Sequence, residues 1–413
     1  MTPVRRSTLA TPLTRWPARR LADFSLAAVC LLLLAIHLRS GLRLSPDSHT
    51  YIAWAKVLRD DGFDVVPYLS HNAHVSSPLF YLLPVALIAA LQQIFGAAWQ
   101  TVFLIVNLGL MLAMLALFRQ IAFGLGVRPH ICACLFPVFL VSADLLTWPH
   151  FLLSDMLFAL LVLAAVWLAL RDRPPSWRQS CAGGLVLLLI LVARPSAPPA
   201  LAVVGGYMIL SRLRSDLPQS INWRVGATLV LGSLVLLLSA IGYGLLMHAV
   251  LAGQFASEQS SFIARMVAKG MVVHDRPDTF VTMNGGAVDI ARLYGLRLLA
   301  YFSPYASTYS LRHLLGNGVV LGLPLAALLA VVGRKSELTP PQWQAVALLL
   351  ALCLGFAMFH AATLIDYDWR YRFPIIAPLL LFTAVVGEGV LRARARRRDQ
   401  PDAPALADGL SNR

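Results

Sequence analysis

The sequence predicts an all-α polytopic membrane protein, a bundle of about ten transmembrane helices with juxtamembrane helices in its first outer loop. Three observations predict it. Of 413 residues, 58% are hydrophobic and 13% charged, with a mean hydropathy of +0.70, and a soluble domain needs more charge than that to cover its apolar interior. Apolar runs of about 17–25 residues recur, the length that crosses roughly 30 Å of hydrocarbon. The arginines collect in short loops between these runs and at both ends of the chain, where topology signals lie.

That distribution also decides what the net charge of +14 means. Nucleic-acid binding would require a basic stripe interleaved with aromatics on a soluble segment, and the sequence has none. The five cysteines, Cys30, Cys132, Cys134, Cys181 and Cys353, lie in or beside apolar runs. They read as small apolar packers; Cys132 and Cys134 are too close for a Cys-x-x-Cys motif.

Taken in order, residues 1–23 form a basic N-terminus, with Arg5, Arg6, Arg15, Arg19 and Arg20 ahead of an apolar run from about Ala22 to Leu38. No small-residue cleavage site follows, so an uncleaved first helix starting in the cytoplasm is expected. Hydropathy marks spans near 24–43, 78–95, 100–118, 130–146, 152–170, 181–193, 198–211, 225–248, 316–333, 343–363 and 373–391. Strict alternation through all eleven would put outside the loops that hold Arg171, Arg173 and Arg178, then Arg212, Arg214 and Arg224, then Arg334 and Lys335. It would also export the basic tail 392–413. Treating 78–95 as an interfacial or re-entrant helix at the outer surface leaves ten spans and returns every one of these loops to the inside. Its lead-in Ser76-Ser77-Pro78 and its Gln92-Gln93 suit that position. The alternative is eleven spans with an unusual topology. The transmembrane domain is thus 24–391, with long outer loops at 44–98 and 251–317 and an amphipathic stretch around Leu296–Leu315. Short outer turns fall at Thr147–Ser154 and Leu364–Arg372, and Arg194 sits at a break between two short helices.

The outer segments carry the chemistry. Leu44-Ser45-Pro46-Asp47-Ser48-His49-Thr50-Tyr51 follows the first span. Tyr51, Ala55 and Leu58 then recur at i, i+4 and i+7, the pattern of a short amphipathic helix on the membrane. Asp47 is either its N-cap or a carboxylate placed at the lipid–water boundary as a general base. Leu153-Ser154-Asp155 puts a second acid at the outer end of a span, as a helix-terminal charge or a partner of Asp47. Arg194 either snorkels to the interface or binds an anion. In Asp368-Trp369-Arg370-Tyr371-Arg372 the arginines are either aromatic-belt anchors neutralised by Asp366 and Asp368 or phosphate ligands. Trp54 and Tyr81 read as interfacial packers. His274, Asp275, Arg276 and Asp278 lie in a polar loop suited by position to a lid.

This order of motifs resembles the GT-C superfamily of membrane glycosyltransferases, in particular the family-39-like branch of protein O-mannosyltransferases and lipid A aminoarabinose transferases. Asp47 after the first span, the Ser76-Ser77-Pro78 lead-in, Asp155 at a later outer end and the Arg370-Tyr371-Arg372-Phe373-Pro374 run are similar, in order, to that branch's motifs. Two departures are visible: Ser76-Ser77-Pro78 stands where relatives carry a Lys-Pro-Pro-like sequence, and Ser48 where many carry a second acid. The resemblance implies a GT-C-like bundle at the outer face of a bacterial inner (plasma) membrane. It implies inverting transfer from a polyprenyl-phosphate sugar to a hydroxyl of a glycolipid, polysaccharide or protein. Asp47, as general base, and Asp155 would be the catalytic carboxylates, Arg194, Arg370 and Arg372 the donor-phosphate clamp, and Tyr51 a substrate contact. The resemblance specifies no cofactor, although some relatives are metal-linked. His71 and His74, with Asp60, Asp61 or Asp64, are the candidates for a divalent metal or a substrate contact, although two histidines three apart are weak evidence.

Two other classes stay open: an O-antigen polymerase or ligase, which would also use lipid-linked sugars and outer arginines, and a flippase for a lipid-linked saccharide. A flippase places charges along a path through the bilayer; here they stop at the rim, with Asp144 near a helix end the exception.

Sidedness is directly measurable. In a background lacking the five native cysteines, Gly96→Cys should react with an impermeant maleimide from outside, and Ser180→Cys only after the membrane is opened. The reverse pattern would make 78–95 a span.

Overall fold

The computed structural model describes residues 12–71, 78–171, 177–213, 271–272, 280–281, 287–305, 309–362 and 369–399. Helices build the described fold, apart from an antiparallel pair of two-residue strands, β1 (Met271–Val272) and β2 (Phe280–Val281). Helix α1 spans Pro12–Ser40, α2 Pro46–Asp60 and α3 Val65–His71. A 3-10 turn at Pro78–Tyr81 leads into α4 (Leu82–Phe95), and α5 covers Trp99–Gly124. Then come α6 (Pro129–Val141), α7 (Ala143–Thr147), α8 (Asp155–Leu170) and α9 (Trp177–Leu191). Short α10 (Pro198–Ala200) continues through a π turn at Leu201–Gly205 into α11 (Gly206–Leu213). The described C-terminal part holds α12 (Ala287–Tyr301), α13 (Leu311–Val332), α14 (Pro340–Ala362) and α15 (Phe373–Asp399).

Five stretches among the described residues are long and apolar enough to cross a membrane: Ala18–Ser40, Pro78–Gly124, Leu311–Val332, Pro340–Ala361 and Arg370–Asp399. The α6–α7 pair, bent by 58°, would make a sixth. Asp155–Leu170, Trp177–Leu191 and Pro198–Ser211 are apolar but shorter. The expected span 225–248 lies outside the described residues. Much of the apolar surface faces outward. Of the most apolar windows of α1 and α13, 22% and 28% of residues are buried, against 78% in α15, so α15 is the central helix and the other two are peripheral. Phe24, Leu31, Leu325 and Leu329 stand exposed. In water such faces would favour association or collapse; in hydrocarbon they are at home, and the protein is a helical membrane protein.

Two ends of the bundle can be followed from helix to helix. At one, Arg119 Nε of α5 donates to Asp23 Oδ1 of α1 at 2.7 Å. The Arg128 backbone N–H and its Nε both donate to Glu388 Oε2 of α15 at 3.0 Å. Gln342 Nε2 donates to the Leu125 carbonyl at 2.9 Å and accepts from Arg392 at 3.2 Å. The arginines of α15's last turn lead on from this tail end.

At the opposite, loop end, the Arg43 N–H donates to His150 O at 2.7 Å and the Leu152 N–H to Arg43 O at 3.0 Å. Asn107 Nδ2 of α5 reaches the Pro149 and Phe151 carbonyls at 3.3 and 3.1 Å. His37 Nδ1 lies 3.0 Å from His150 Nδ1, and His37 Nε2 lies 3.0 Å from the Leu145 carbonyl. The Leu83 N–H donates to Val192 O at 2.9 Å, tying the start of α4 to the break after α9.

Helix α4 packs along α2. The Tyr51 and Tyr81 rings meet at 5.2 Å where both helices begin, and Arg59 Nη1 reaches Gln92 Oε1 at 3.4 Å near their ends. The two therefore run in the same direction, and α4 buries Val85, Ile88 and Ala89, one helical stripe. Its partner carries Asp47, His49, Lys56, Arg59 and Asp60. Gly96, at φ 51°, ends α4 in a conformation that side-chain-bearing residues avoid.

Two expectations shift. The apolar run 130–146 is broken at Ser142, whose hydroxyl caps α7 by accepting from the Leu145 N–H at 3.4 Å. The amphipathic stretch sits earlier than Leu296–Leu315, as α12 over Ala287–Tyr301. Pro304 cannot continue a helix there, and the Ser310 hydroxyl caps α13 through the His313 N–H at 3.4 Å.

A Cβ at Gly316 would collide with the Val141 carbonyl oxygen, whereas one at Gly318 would meet nothing within 4 Å. Gly318→Ala should thus hold or raise thermal stability in detergent, through helix propensity worth ~1 kcal/mol. Gly316→Ala should lower it by about 1–3 kcal/mol, the overpacking cost. Equal melting temperatures for the two would refute this contact between α13 and α6.

Candidate functional site

The loop end assembles six of the eight residues that the sequence singles out. The backbone is fixed first. Ser45 caps α2, its hydroxyl accepting from the Ser48 N–H at 3.3 Å while the Ser45 N–H donates to Ser48 Oγ at 2.8 Å, a reciprocal capping box followed by Pro46 in the first turn. Ser48 Oγ also donates to Leu152 O at 2.8 Å. Asp47 is therefore not the cap: Ser45 holds that position, and the Asp47 carboxylate is left for another partner. That partner is Arg370, whose Nη1 lies 2.7 Å from Asp47 Oδ2.

Asp155 is the first residue of α8, where the helix dipole favours a carboxylate. It accepts from Arg194 Nη1, on the turn between α9 and α10. Arg194 is buried and does not snorkel to the interface. A desolvated guanidinium needs a counter-charge within contact, and α8 supplies it. Burial works against the charge on Arg194, but Asp155 holds it more basic than usual. Asp155 is thus engaged by Arg194, and tuning of Asp47 by Asp155 finds no direct contact among the described residues.

The third arginine, Arg372, is buried as well. Its Nη1 donates to Ser303 O at 2.8 Å, and its Nε stands 3.8 Å from Asp144 Oδ2. Asp144 also accepts from Trp148 Nε1 at 3.2 Å. Among the described residues, Arg370 thus pairs with Asp47 and Arg372 with Asp144. Asp366 and Asp368, expected to neutralise them, lie outside the described residues.

Aromatic rings fill the space between the pairs. Tyr51 and Trp54, both buried, and the partly buried Tyr81 form a triangle with ring centroids 5.2–6.1 Å apart, so the packing residues Trp54 and Tyr81 also belong to this wall. Tyr51 lies within electrostatic reach of Arg194 and Asp155, and burial holds its phenol well above the ordinary range, so it stays a hydroxyl. The guanidinium groups of Arg194 and Arg370 sit 5.5 and 5.6 Å from the same Tyr371 ring. Tyr371 stacks on His360 at 4.6 Å, and the Tyr301 hydroxyl donates to the Tyr371 carbonyl at 3.2 Å. The three ion pairs differ in access. Side-chain exposure is 18% and 43% for Arg370 and Asp47, but 6% and 2% for Arg194 and Asp155, and 2% and 1% for Arg372 and Asp144. One pair faces the outside; two lie behind it.

The remaining candidates do not join this cluster. His71 closes α3, but its side chain lies outside the described residues, as do His74 and the polar loop of His274, Asp275, Arg276 and Asp278. Among the described residues no three His, Cys, Asp or Glu side chains gather as metal ligands. Sequence reasoning underrated Asp144, Tyr301 and His360. For Asp144 a signal existed: Ser142 two residues earlier and Pro149 after it mark a broken helix inside an apolar run.

Compared with known protein families, with curated proteins and with solved structures, the chain finds no match.

The Arg194–Asp155 pair is testable as a unit. Asp155→Leu or Arg194→Leu alone should cost about 3–5 kcal/mol, because each strands a buried charge. The double variant should recover much of that loss in thermal unfolding of the purified protein. Additive losses would mean that the two do not depend on one another.

Proposed function

We propose that this chain is an inverting glycosyltransferase, moving a sugar from a polyprenyl-phosphate donor to a hydroxyl acceptor at the outer face of a bacterial inner membrane. The observation that carries this reading is the loop-end cluster: one accessible carboxylate–arginine pair, Asp47–Arg370, backed by two buried pairs and walled by tyrosines. A donor whose tail stays in the bilayer presents its phosphate and sugar at this level. Its leaving group gains negative charge as the bond to the sugar breaks, and fixed guanidinium groups are suited to receive it. Arg370 would meet the phosphate, with Arg194 and Arg372 as positive charge behind it. Asp47 would take the acceptor hydroxyl proton while that oxygen bonds to the anomeric carbon. The phosphate departs with the bonding electron pair, and displacement from the opposite face inverts the centre.

The membrane arrangement that goes with this reading has ten spans, with α4 lying along the outer surface. Three features support it. α4 is packed for its length on the charged helix α2, which is ill suited to hydrocarbon. With α4 set aside, α1, α5, α6 and α8 run alternately between the tail end and the loop end. The arginines of the last helix then fall on the side opposite the cluster, as the positive-inside rule asks.

Transfer from radiolabelled polyprenyl-phosphate sugars in membranes tests the assignment. Asp47→Asn should lower transfer by roughly 10²–10⁴-fold, the contribution of a positioned base. Undiminished transfer in that variant would remove Asp47 from the base role. If wild type consumes no lipid-phosphate sugar, the class is wrong. Mass spectrometry of lipid-linked saccharides, glycolipids and glycoproteins in a deletion strain then identifies sugar and acceptor.

A further inference from the structure

We infer that Asp47 and the donor phosphate compete for Arg370, so that the arrival of the donor itself releases the carboxylate that acts as base. This rests on the reading proposed above and adds an order of events to it. The first reason is access. Of the three arginine–aspartate pairs described at the loop end, only Arg370–Asp47 is partly exposed; Arg194 and Arg372 are enclosed with their own counter-charges. An anion coming from the surface therefore meets Arg370 first, and finds it occupied.

The second reason is charge balance. Arg194 and Arg370 approach one Tyr371 ring from 5.5 and 5.6 Å, near enough for Arg370 to oppose the charge on Arg194. Two guanidinium groups beside one ring require an anion for the second as well as the first, and among the described residues Asp47 is that anion. A phosphodiester, also singly charged, can replace it without changing the net charge of the cluster. It also offers the planar fork of Arg370 two oxygens.

The third reason is mechanical. The backbone at Asp47 is pinned by the Ser45–Ser48 capping box and by Ser48 on Leu152 O. Only the two side-chain torsions of Asp47 must change for it to leave Arg370, a local rotamer motion. While Arg370 Nη1 occupies Asp47 Oδ2, that oxygen is not open to the acceptor hydroxyl; once released beside a bound sugar phosphate, it is. Without donor, Asp47 stays engaged.

The experiment measures binding rather than turnover. Farnesyl methyl phosphate, a singly charged phosphodiester like the donor, is titrated against the purified full-length protein in zwitterionic nanodiscs. Asp47→Asn should bind it about three- to tenfold tighter than wild type, the range expected for removing a partly exposed competing ion pair. Asp47→Ala should do the same, which separates lost charge from altered packing. Arg370→Gln should weaken binding by about tenfold or more, with or without Asp47→Asn. Inorganic phosphate at equal concentration should not displace the lipid; if it does so freely, the site takes any phosphate and the assignment to the lipid-linked donor fails. If the Asp47 variants bind no tighter than wild type, the competition is refuted. That failure is distinct from failure of the proposed function. Loss of transfer in Asp47→Asn without tighter binding would leave the transferase and remove the exchange. Tighter binding by the Asp47 variants, with a wild type that transfers no sugar, would leave the exchange and remove the transferase.

Discussion

The buried pair of Arg194 and Asp155 is the constraint around which the loop end is arranged. Neither group tolerates isolation in an apolar interior, so the turn after α9 and the first turn of α8 must stay together. That union fixes other parts in sequence. The start of α4 is tied to Val192 beside the turn, Tyr51 and Tyr81 close over the arginine from α2 and the lead-in to α4, and Tyr371 lies under it from the approach to α15. Segments from five parts of the chain thus share one enclosed charge. The pair contributes specificity of arrangement more than net stability, since an apolar replacement of equal volume can be as stable.

The tail end solves a similar problem differently. Glu388, buried in α15, accepts from both the backbone and the side chain of Arg128, and Arg392 one turn later stands within ion-pair range. Here Glu388 is buried, while the two arginines that reach it, Arg128 and Arg392, are partly in solvent. The cluster reads as a clasp between α15 and the α5–α6 turn. The contrast strengthens the assignment of the chemistry to the other end, where acids and arginines are matched and enclosed by aromatic rings.

What the sequence made legible follows from what hydropathy and periodicity measure. The apolar runs near 100–118, 316–333, 343–363 and 373–391 appear as helices, and the Tyr51, Ala55, Leu58 stripe is the buried face of α2. The capping of α2 by Ser45 was readable in principle, since serine followed by proline is a helix-start signal; Asp47, two residues on, competed for the same role. The burial of Arg194 was not legible. An arginine at a break between apolar helices looks the same on paper whether it reaches for water or for an acid 39 residues back in the chain. Asp144 was hidden for a related reason: hydropathy averages over the Ser142 break, and its partner Arg372 is distant in sequence.

The histidine joint between α1 and the turn after α7 carries a direction. A carbonyl can only accept, so His37 Nε2 must hold the proton that reaches Leu145 O, and a neutral His37 must accept at Nδ1. His150 Nδ1 is then the donor across the 3.0 Å contact, and its own Nε2, which has no hydrogen-bond partner among the described residues, is left with a lone pair. Two chemically identical side chains are thereby made inequivalent. One is saturated at both nitrogens, and the other ends the chain as an open acceptor. The fold has written a tautomer into each position, so the joint has a head and a tail although its two residues share one formula.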